Sequence, residues 1–175
     1  KSDLSAFLSP LIKQNKSIGF VPTMGALHQG HLSLLKNSLS ENDVTVMSIF
    51  VNPTQFNNAE DLDKYPRTLD RDVQIMQDLS NKIIVYAPEV ADIYEGNTVS
   101  ESFNYDGLEN QMEGKHRPGH FDGVGTIVKR LFEIVQPNKA YFGEKDFQQV
   151  QIVKKLVEKL QLNIALSVSW LKNVD

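Results

Sequence analysis

The 175-residue sequence contains no cysteine. Disulfides, thiolate nucleophiles and cysteine-based metal sites are therefore excluded, and the composition fits a reducing compartment. An excess of basic charge is missing too. Lys and Arg number 18 against 22 Asp and Glu, a net charge of −4, which argues against a nucleic-acid partner. No apolar run approaches the length needed to cross a bilayer, and the first residues lack the pattern of a secretory leader. No membrane partner and a cytoplasmic location are the resulting expectations. The chain opens on Lys1 rather than Met, so a trimmed chain is also expected. Internal repeats and low-complexity tracts are absent. What remains, 41% hydrophobic and 23% charged, is ordinary for a globular protein, long enough for one domain with a real core. A small-molecule enzyme is the default expectation.

Apolar β-type runs at 18–21, 44–51, 83–87, 139–142 and 164–168 alternate with helical patterns at 32–39, 68–79, 124–135 and 147–160. Thr68 stands as an N-cap for the second helix. Phe147, Val150, Val153, Leu156, Val157 and Leu160 form the apolar stripe of the last. This alternation predicts an α/β fold, a Rossmann-like parallel sheet with helices on both faces. Ligands of such sheets bind beyond the carboxyl ends of the strands. Three unusual polar segments fall there, each directly after a predicted strand.

The first is Pro22-Thr23-Met24-Gly25-Ala26-Leu27-His28-Gln29-Gly30-His31. It leads from a strand into a helix, whose first N–H groups and partial positive charge suit an anion. Gly25 and Gly30 allow close backbone approach, and His28 and His31 add donors for charge developing on a phosphate. The two histidines could instead be surface residues or half of a metal site, but the run has neither cysteine nor carboxylate to complete one. The second segment, Asn52-Pro53-Thr54-Gln55-Phe56, read alone, is a turn with Phe56 plugged into the core. The third is Gly143-Glu144-Lys145-Asp146-Phe147-Gln148-Gln149. Lys145 is placed to meet phosphate, Asp146 to cap the helix, and Gln149 lies one helical turn after Lys145. A solvated Lys-Asp pair is the plainer reading. Gly123-x-Gly125 is no dinucleotide fingerprint, because the third glycine and the preceding strand are missing.

The first run resembles the H-x-G-H element of the nucleotidylyltransferase superfamily, and in its fuller form that of the pantothenate synthetase (pantoate–β-alanine ligase) family. Asn52–Phe56 is similar to that family's N-P-x-Q-F, and 143–149 to its G-x-K-D-x-x-Q. Residues 113–123 resemble its E-G-x-x-R-P-G-H-F-x-G stretch, and Tyr65-Pro66-Arg67 with Asp70 and Asp72 its Y-P-R-x-x-x-x-D. The resemblance implies activation of pantoate by Mg-ATP to pantoyl adenylate, followed by attack of β-alanine. It implies ATP contacts from Thr23, Met24, Gly25, Ala26, Leu27, His28, Gln29, Gly30 and His31, and from Gly143, Glu144, Lys145 and Asp146. His31, as proton donor, His28 and Lys145 become the catalytic groups. Gln55 and Gln149, with Asn52 as a weaker contact, become the pantoate and β-alanine side. Asp72 becomes a water-mediated Mg²⁺ contact, Arg117 and His120 parts of a loop or a subunit interface, and a homodimer the assembly. Residues 1–175 would then form the nucleotide- and pantoate-binding N-terminal domain. A serine- and arginine-bearing phosphate loop and a C-terminal domain are expected after Asp175. Two alternatives stay open: a nucleotidyltransferase acting on a phosphorylated substrate, and a nucleotide-binding regulatory module without catalysis.

Overall fold

The computed structural model describes residues 1–169, with Asp146 described by its backbone alone. Five parallel strands, β1 Ile18–Thr23, β2 Val44–Ile49, β3 Ile83–Tyr86, β4 Lys139–Gly143 and β5 Ala165–Ser169, form one sheet in the order β3-β2-β1-β4-β5. The principal helices are α1 Ser2–Lys13, α2 Gln29–Glu41, α3 Ala59–Lys64, α4 Leu69–Leu79, α5 Val90–Tyr94, α6 Glu113–His116, α7 His120–Val135 and α8 Phe147–Lys159.

The strands alternate between two cores, as a period of two residues requires. Ile18, Phe20, Val46, Ala140 and Phe142 pack with Leu8 of α1, Val128 of α7 and Ile152 of α8. Val21, Met47 and Tyr141 pack on the other face with Leu34 and Leu35 of α2 and Met76 of α4. Helices therefore cover both faces of a Rossmann-like sheet, and the winding reverses between β1 and β4. A crevice belongs at such a reversal.

One residue widens that crevice. Ile18 accepts from Asn138 N through its carbonyl, so even-numbered residues of β1 turn their backbone polar groups toward β4. Pro22 is even-numbered, and its missing N–H faces β4. The β1–β2 ladder runs from Ile18↔Val44 to Thr23↔Ile49, whereas β1 and β4 pair at Gly19↔Lys139 and Phe20↔Ala140. Past Phe20 the two strands part.

One expectation needs correction. The apolar stripe of α8 begins at Val150, because Phe147 opens the helix beyond the sheet edge and is 57% exposed. Thr68 is the N-cap residue of α4, as expected, but its hydroxyl makes no cap bond and goes instead to Asp72, 3.2 Å from each carboxylate oxygen. Helix α1, with Pro10 inside it, and the short helices α3, α5 and α6 have no counterpart in the sequence pattern. The expected link from Leu171 to Asp175 toward a further loop lies outside the described residues.

Candidate active site

The turn after β1 is built around a buried carboxylate. Thr23 donates its hydroxyl to Ser48 O at 2.8 Å and accepts from Gly25 N at 3.1 Å. Gly25 and Ala26 then adopt left-handed backbone conformations, φ +87° and +54°. Successive N–H groups in such a turn converge on one point and suit an anion. The anion is Asp72 of α4, which has no exposed surface and accepts from Ala26 N at 2.9 Å and Leu27 N at 3.0 Å. A Cβ on Gly25 would stand 3.1 Å from the same carboxylate, so the glycine makes room for Asp72 as well as lining the cleft. The expected Mg²⁺ contact at Asp72 is corrected accordingly: both oxygens serve backbone N–H groups and the Thr68 hydroxyl, in the protein interior.

The histidines close the next half-turn. His28 is the N-cap of α2 and accepts from Gly30 N through Nδ1 at 3.1 Å, while His31 Nδ1 accepts from His28 N at 3.1 Å. The rings lie 4.1 Å apart, tilted by 42°. An Nδ1 that accepts a backbone N–H carries no proton, so each neutral ring keeps its hydrogen on Nε2. Burial, then the neighbouring His28, lower the His31 pKa from 6.5 to about 4, against an opposing pull from Asp72. At neutral pH His31 is thus a neutral hydrogen-bond donor through Nε2. The backbone N–H groups of Gly25, Ala26, Leu27, His28 and Gly30 all have protein partners. These five groups are committed within the turn, and the donors that line the cleft include the side chains of His28, His31 and Lys145.

The opposite wall comes from the 3-10 turn over Pro53–Gln55 and from α7. Asn52, 1% exposed, donates to Gly123 O at 3.0 Å and to Gln55 Oε1 at 3.1 Å, and its Oδ1 accepts from the Tyr94 hydroxyl and lies 3.2 Å from that of Thr54. This amide is fully engaged within the protein, at a position that also lines the cleft. His120 is buried and donates Nδ1–H to Gln55 O at 2.8 Å, the carbonyl being able only to accept. This bond ties the start of α7 to the glutamine turn. Burial lowers its pKa, which keeps it neutral. Gln55 Nε2 points to Met24 Sδ at 3.4 Å.

Between these walls lies a cleft of about 310 Å³. His28, His31 and Lys145 line it together with Gln55 and Gln149, as do Thr23, Met24 and the Gly25–Ala26 turn. Gly143 joins both histidines and Lys145 around a narrower annex of about 100 Å³ beside Pro22. Four expected contacts are not among these lining residues. Leu27 is 1% exposed in the core below α2, Gln29 is exposed and Gly30 half-buried on the first turn of α2, and Glu144 carries a buried oxygen, Oε2, with no hydrogen-bond partner among the described residues. The side chain of Asp146 lies outside the described residues. Among the described residues no three His, Cys, Asp or Glu side chains gather as a metal would require.

The family model for pantoate-beta-alanine ligase matches residues 1–171. The chain belongs to the pantoate–β-alanine ligase family. It is 70% identical over 163 residues to the pantothenate synthetase of Flavobacterium psychrophilum, covering 93% of this chain and 58% of that one. It is 50% identical over 164 residues to the pantothenate synthetase of Aquifex aeolicus, covering 94% of this chain and 57% of the relative. The pantoate-beta-alanine ligase of Francisella tularensis, solved in complex with beta-gamma ATP and beta-alanine, superposes with a TM-score of 0.91 at 44% identity. That match covers 98% of this chain and 65% of the solved one. The chain thus spans less than two thirds of the length of these relatives.

Within the pantoate–β-alanine ligase fold, the residues that sequence reasoning missed are Tyr94, Thr54 and Gly123. Thr54 stands two positions from Asn52, whereas Tyr94 and Gly123 have no local signal for their roles. Tyr94 reaches Asn52 across 42 positions and Gly123 across 71. Gly123 forms no nucleotide motif, yet a Cβ there would stand 2.6 Å from Thr54 O and 2.7 Å from Gln55 Cα.

Proposed function

We propose that this chain is the nucleotide- and pantoate-binding domain of a ligase that joins pantoate to β-alanine with ATP, by way of pantoyl adenylate. The observation that carries the reading is the division of one cleft into two unlike walls. His28, His31 and Lys145 offer donors and one cation, while Gln55 and Gln149 offer uncharged amides.

A pantoate carboxylate oxygen attacks the α-phosphorus; that O–P bond forms as the α–β bridging bond breaks and pyrophosphate leaves. The amine of β-alanine then attacks the acyl carbon, the C–N bond forms, and AMP departs as the amine loses a proton. The first step needs alignment and donors aimed at growing negative charge, and little covalent help. The Nε2–H groups of the two histidines and the Lys145 ammonium supply that. Magnesium belongs here to the Mg-ATP substrate: the one acid expected to hold it, Asp72, is committed to the turn. A nucleotidyltransferase for phosphorylated substrates would place cations where Gln55 and Gln149 stand. A regulatory module would have no need of those glutamines beside His31.

Homodimer assembly belongs to the same reading, supported by the family and checked by ultracentrifugation. No helix among the described residues is long and apolar enough to cross a membrane. The deciding experiment is pyrophosphate release from ATP on adding D-pantoate, with this chain extended to the length of its relatives. Release that depends on pantoate and not on phosphorylated acceptors is expected. Release with a phosphorylated acceptor alone would overturn the reading in favour of a nucleotidyltransferase.

A further inference from the structure

The amide of Gln55 is fixed in one orientation by a chain of obligate partners. Gly123 O can only accept, so the Asn52 atom 3.0 Å from it is the NH₂ group. Asn52 Oδ1 is thereby turned to the hydroxyls of Thr54 and Tyr94, and its remaining N–H to Gln55, 3.1 Å away. The Gln55 atom at that contact must be Oε1. Its NH₂ group is then the end directed to the cleft, resting against Met24 sulfur, a weak acceptor readily exchanged for a better one.

Tyr94 begins the chain. It is 2% exposed at the last position of α5, and Arg130 of α7 holds it from above, its guanidinium 4.8 Å over the ring and Nη1 donating to Ile93 O at 2.8 Å. Tyr94 gives its one proton to Asn52 Oδ1, so the Thr54 hydroxyl, 2.8 Å from the phenol oxygen, donates to it. Burial pushes the phenol pKa up, which keeps that proton in place.

We propose that Tyr94 is a positioning residue that acts through Asn52 to lock Gln55 with its NH₂ toward the cleft, so that the substrate atom received there is an oxygen acceptor, a carboxylate or hydroxyl oxygen, and not an ammonium. The proposal rests on the reading that the acid substrate sits at Gln55. It explains how one cleft tells the acid from the amine: an ammonium at Gln55 would meet donor against donor.

Steady-state kinetics of Gln55→Ala, Tyr94→Phe and the double variant, in the chain extended to the relatives' length, test both levels. Gln55→Ala should raise KM for pantoate and leave KM for ATP within about twofold. Tyr94→Phe should raise KM for pantoate about 3- to 10-fold, the worth of one buried hydrogen bond, with kcat and KM for ATP nearly unchanged. Added to Gln55→Ala, Tyr94→Phe should cost less than about twofold more, because the group it orients is gone. Equal losses for pantoate and ATP, or an undiminished effect in the double variant, would overturn the proposal and leave the site reading standing. A Gln55→Ala variant that leaves KM for pantoate untouched would instead overturn the placement of the acid. Should Tyr94→Phe fail to fold, Thr54→Val removes the hydroxyl that donates to Tyr94 and lies 3.2 Å from Asn52 Oδ1. It is expected to give the same KM pattern, and equal losses for pantoate and ATP would overturn the proposal there too.

Discussion

His31 takes the backbone N–H of His28 on Nδ1 at 3.1 Å, and this one bond decides what the imidazole can do. With Nδ1 occupied, a proton can be added there only by breaking the start of α2. The chemistry left to His31 is donation from Nε2–H. Glutamine also suits this capping position, its carbonyl accepting the N-cap N–H while its amide donates.

His31→Ala is therefore expected to slow adenylation about 100- to 1,000-fold, as for a lost donor to transition-state charge. His31→Gln should recover a large part of that loss. The pH profile provides a sharper check. An acid with a pKa of about 4 would make the rate fall as pH rises from 6 to 8, whereas a neutral donor leaves this imidazole out of the profile over that range. A rate-limiting ionisation between pH 6 and 8 that disappears in His31→Gln would refute the neutral role. Stability carries its own signature. The folded pKa is depressed below 6.5, so the unfolded chain binds the proton first. The contribution is complete above pH 6.5 and is lost as pH falls toward 4, a trend that denaturant titrations of His31→Gln should flatten.

Asp72→Asn exchanges one acceptor oxygen for an NH₂ group facing backbone N–H donors of the Ala26–Leu27 turn. A loss of about 1–3 kcal/mol in stability is expected, typical of a buried polar group left unpaired. Chemical denaturation measures it. The variant should not be rescued by raising Mg²⁺; recovery of activity at high Mg²⁺ would return Asp72 to the metal.

The strands, their parallel order class and the position of all three polar segments at one sheet edge are legible in the sequence, because β-branched runs and helical stripes are local patterns. The partners of the motif residues are not. Asp72 meets Ala26 across 46 positions, and nothing in its own neighbourhood says that an acid on α4 will fill the turn after β1. Phe147 fails for the opposite reason. Its spacing fits the stripe of α8, but spacing does not reveal that the helix starts beyond the sheet. The glycines divide in the same way: Gly25 suggests access for a ligand and also serves a carboxylate, while Gly123 carries no motif and proves to be a close contact between α7 and the glutamine turn.

Gly123→Ala tests that contact. The added methyl would meet backbone atoms of Thr54 and Gln55 at 2.6–2.7 Å, and these cannot swing aside as a side-chain tip would. Destabilisation of about 1–3 kcal/mol is expected, in the range of overpacked cores. KM for pantoate should rise more than KM for ATP. Unchanged values for both, with unchanged stability, would mean that α7 slides without disturbing the turn.

The 175-residue chain is expected to fold cooperatively alone, since both faces of its sheet are covered. It should bind ATP more weakly than a version extended to the relatives' length and form almost no pantothenate. Calorimetry and a product assay on the pair decide this. Equal turnover would show that the extension contributes nothing to the transition state.

Pro22 has a kinetic consequence. Its ring can never supply the donor that would zip β1 to β4, so the gap between the strands exists before any substrate arrives. Binding then spends no free energy on prying a sheet apart, and no closed competitor has to be depopulated first. Entry of a ligand into this cleft should follow a single exponential whose rate rises linearly with concentration, without the plateau that a slow opening step imposes.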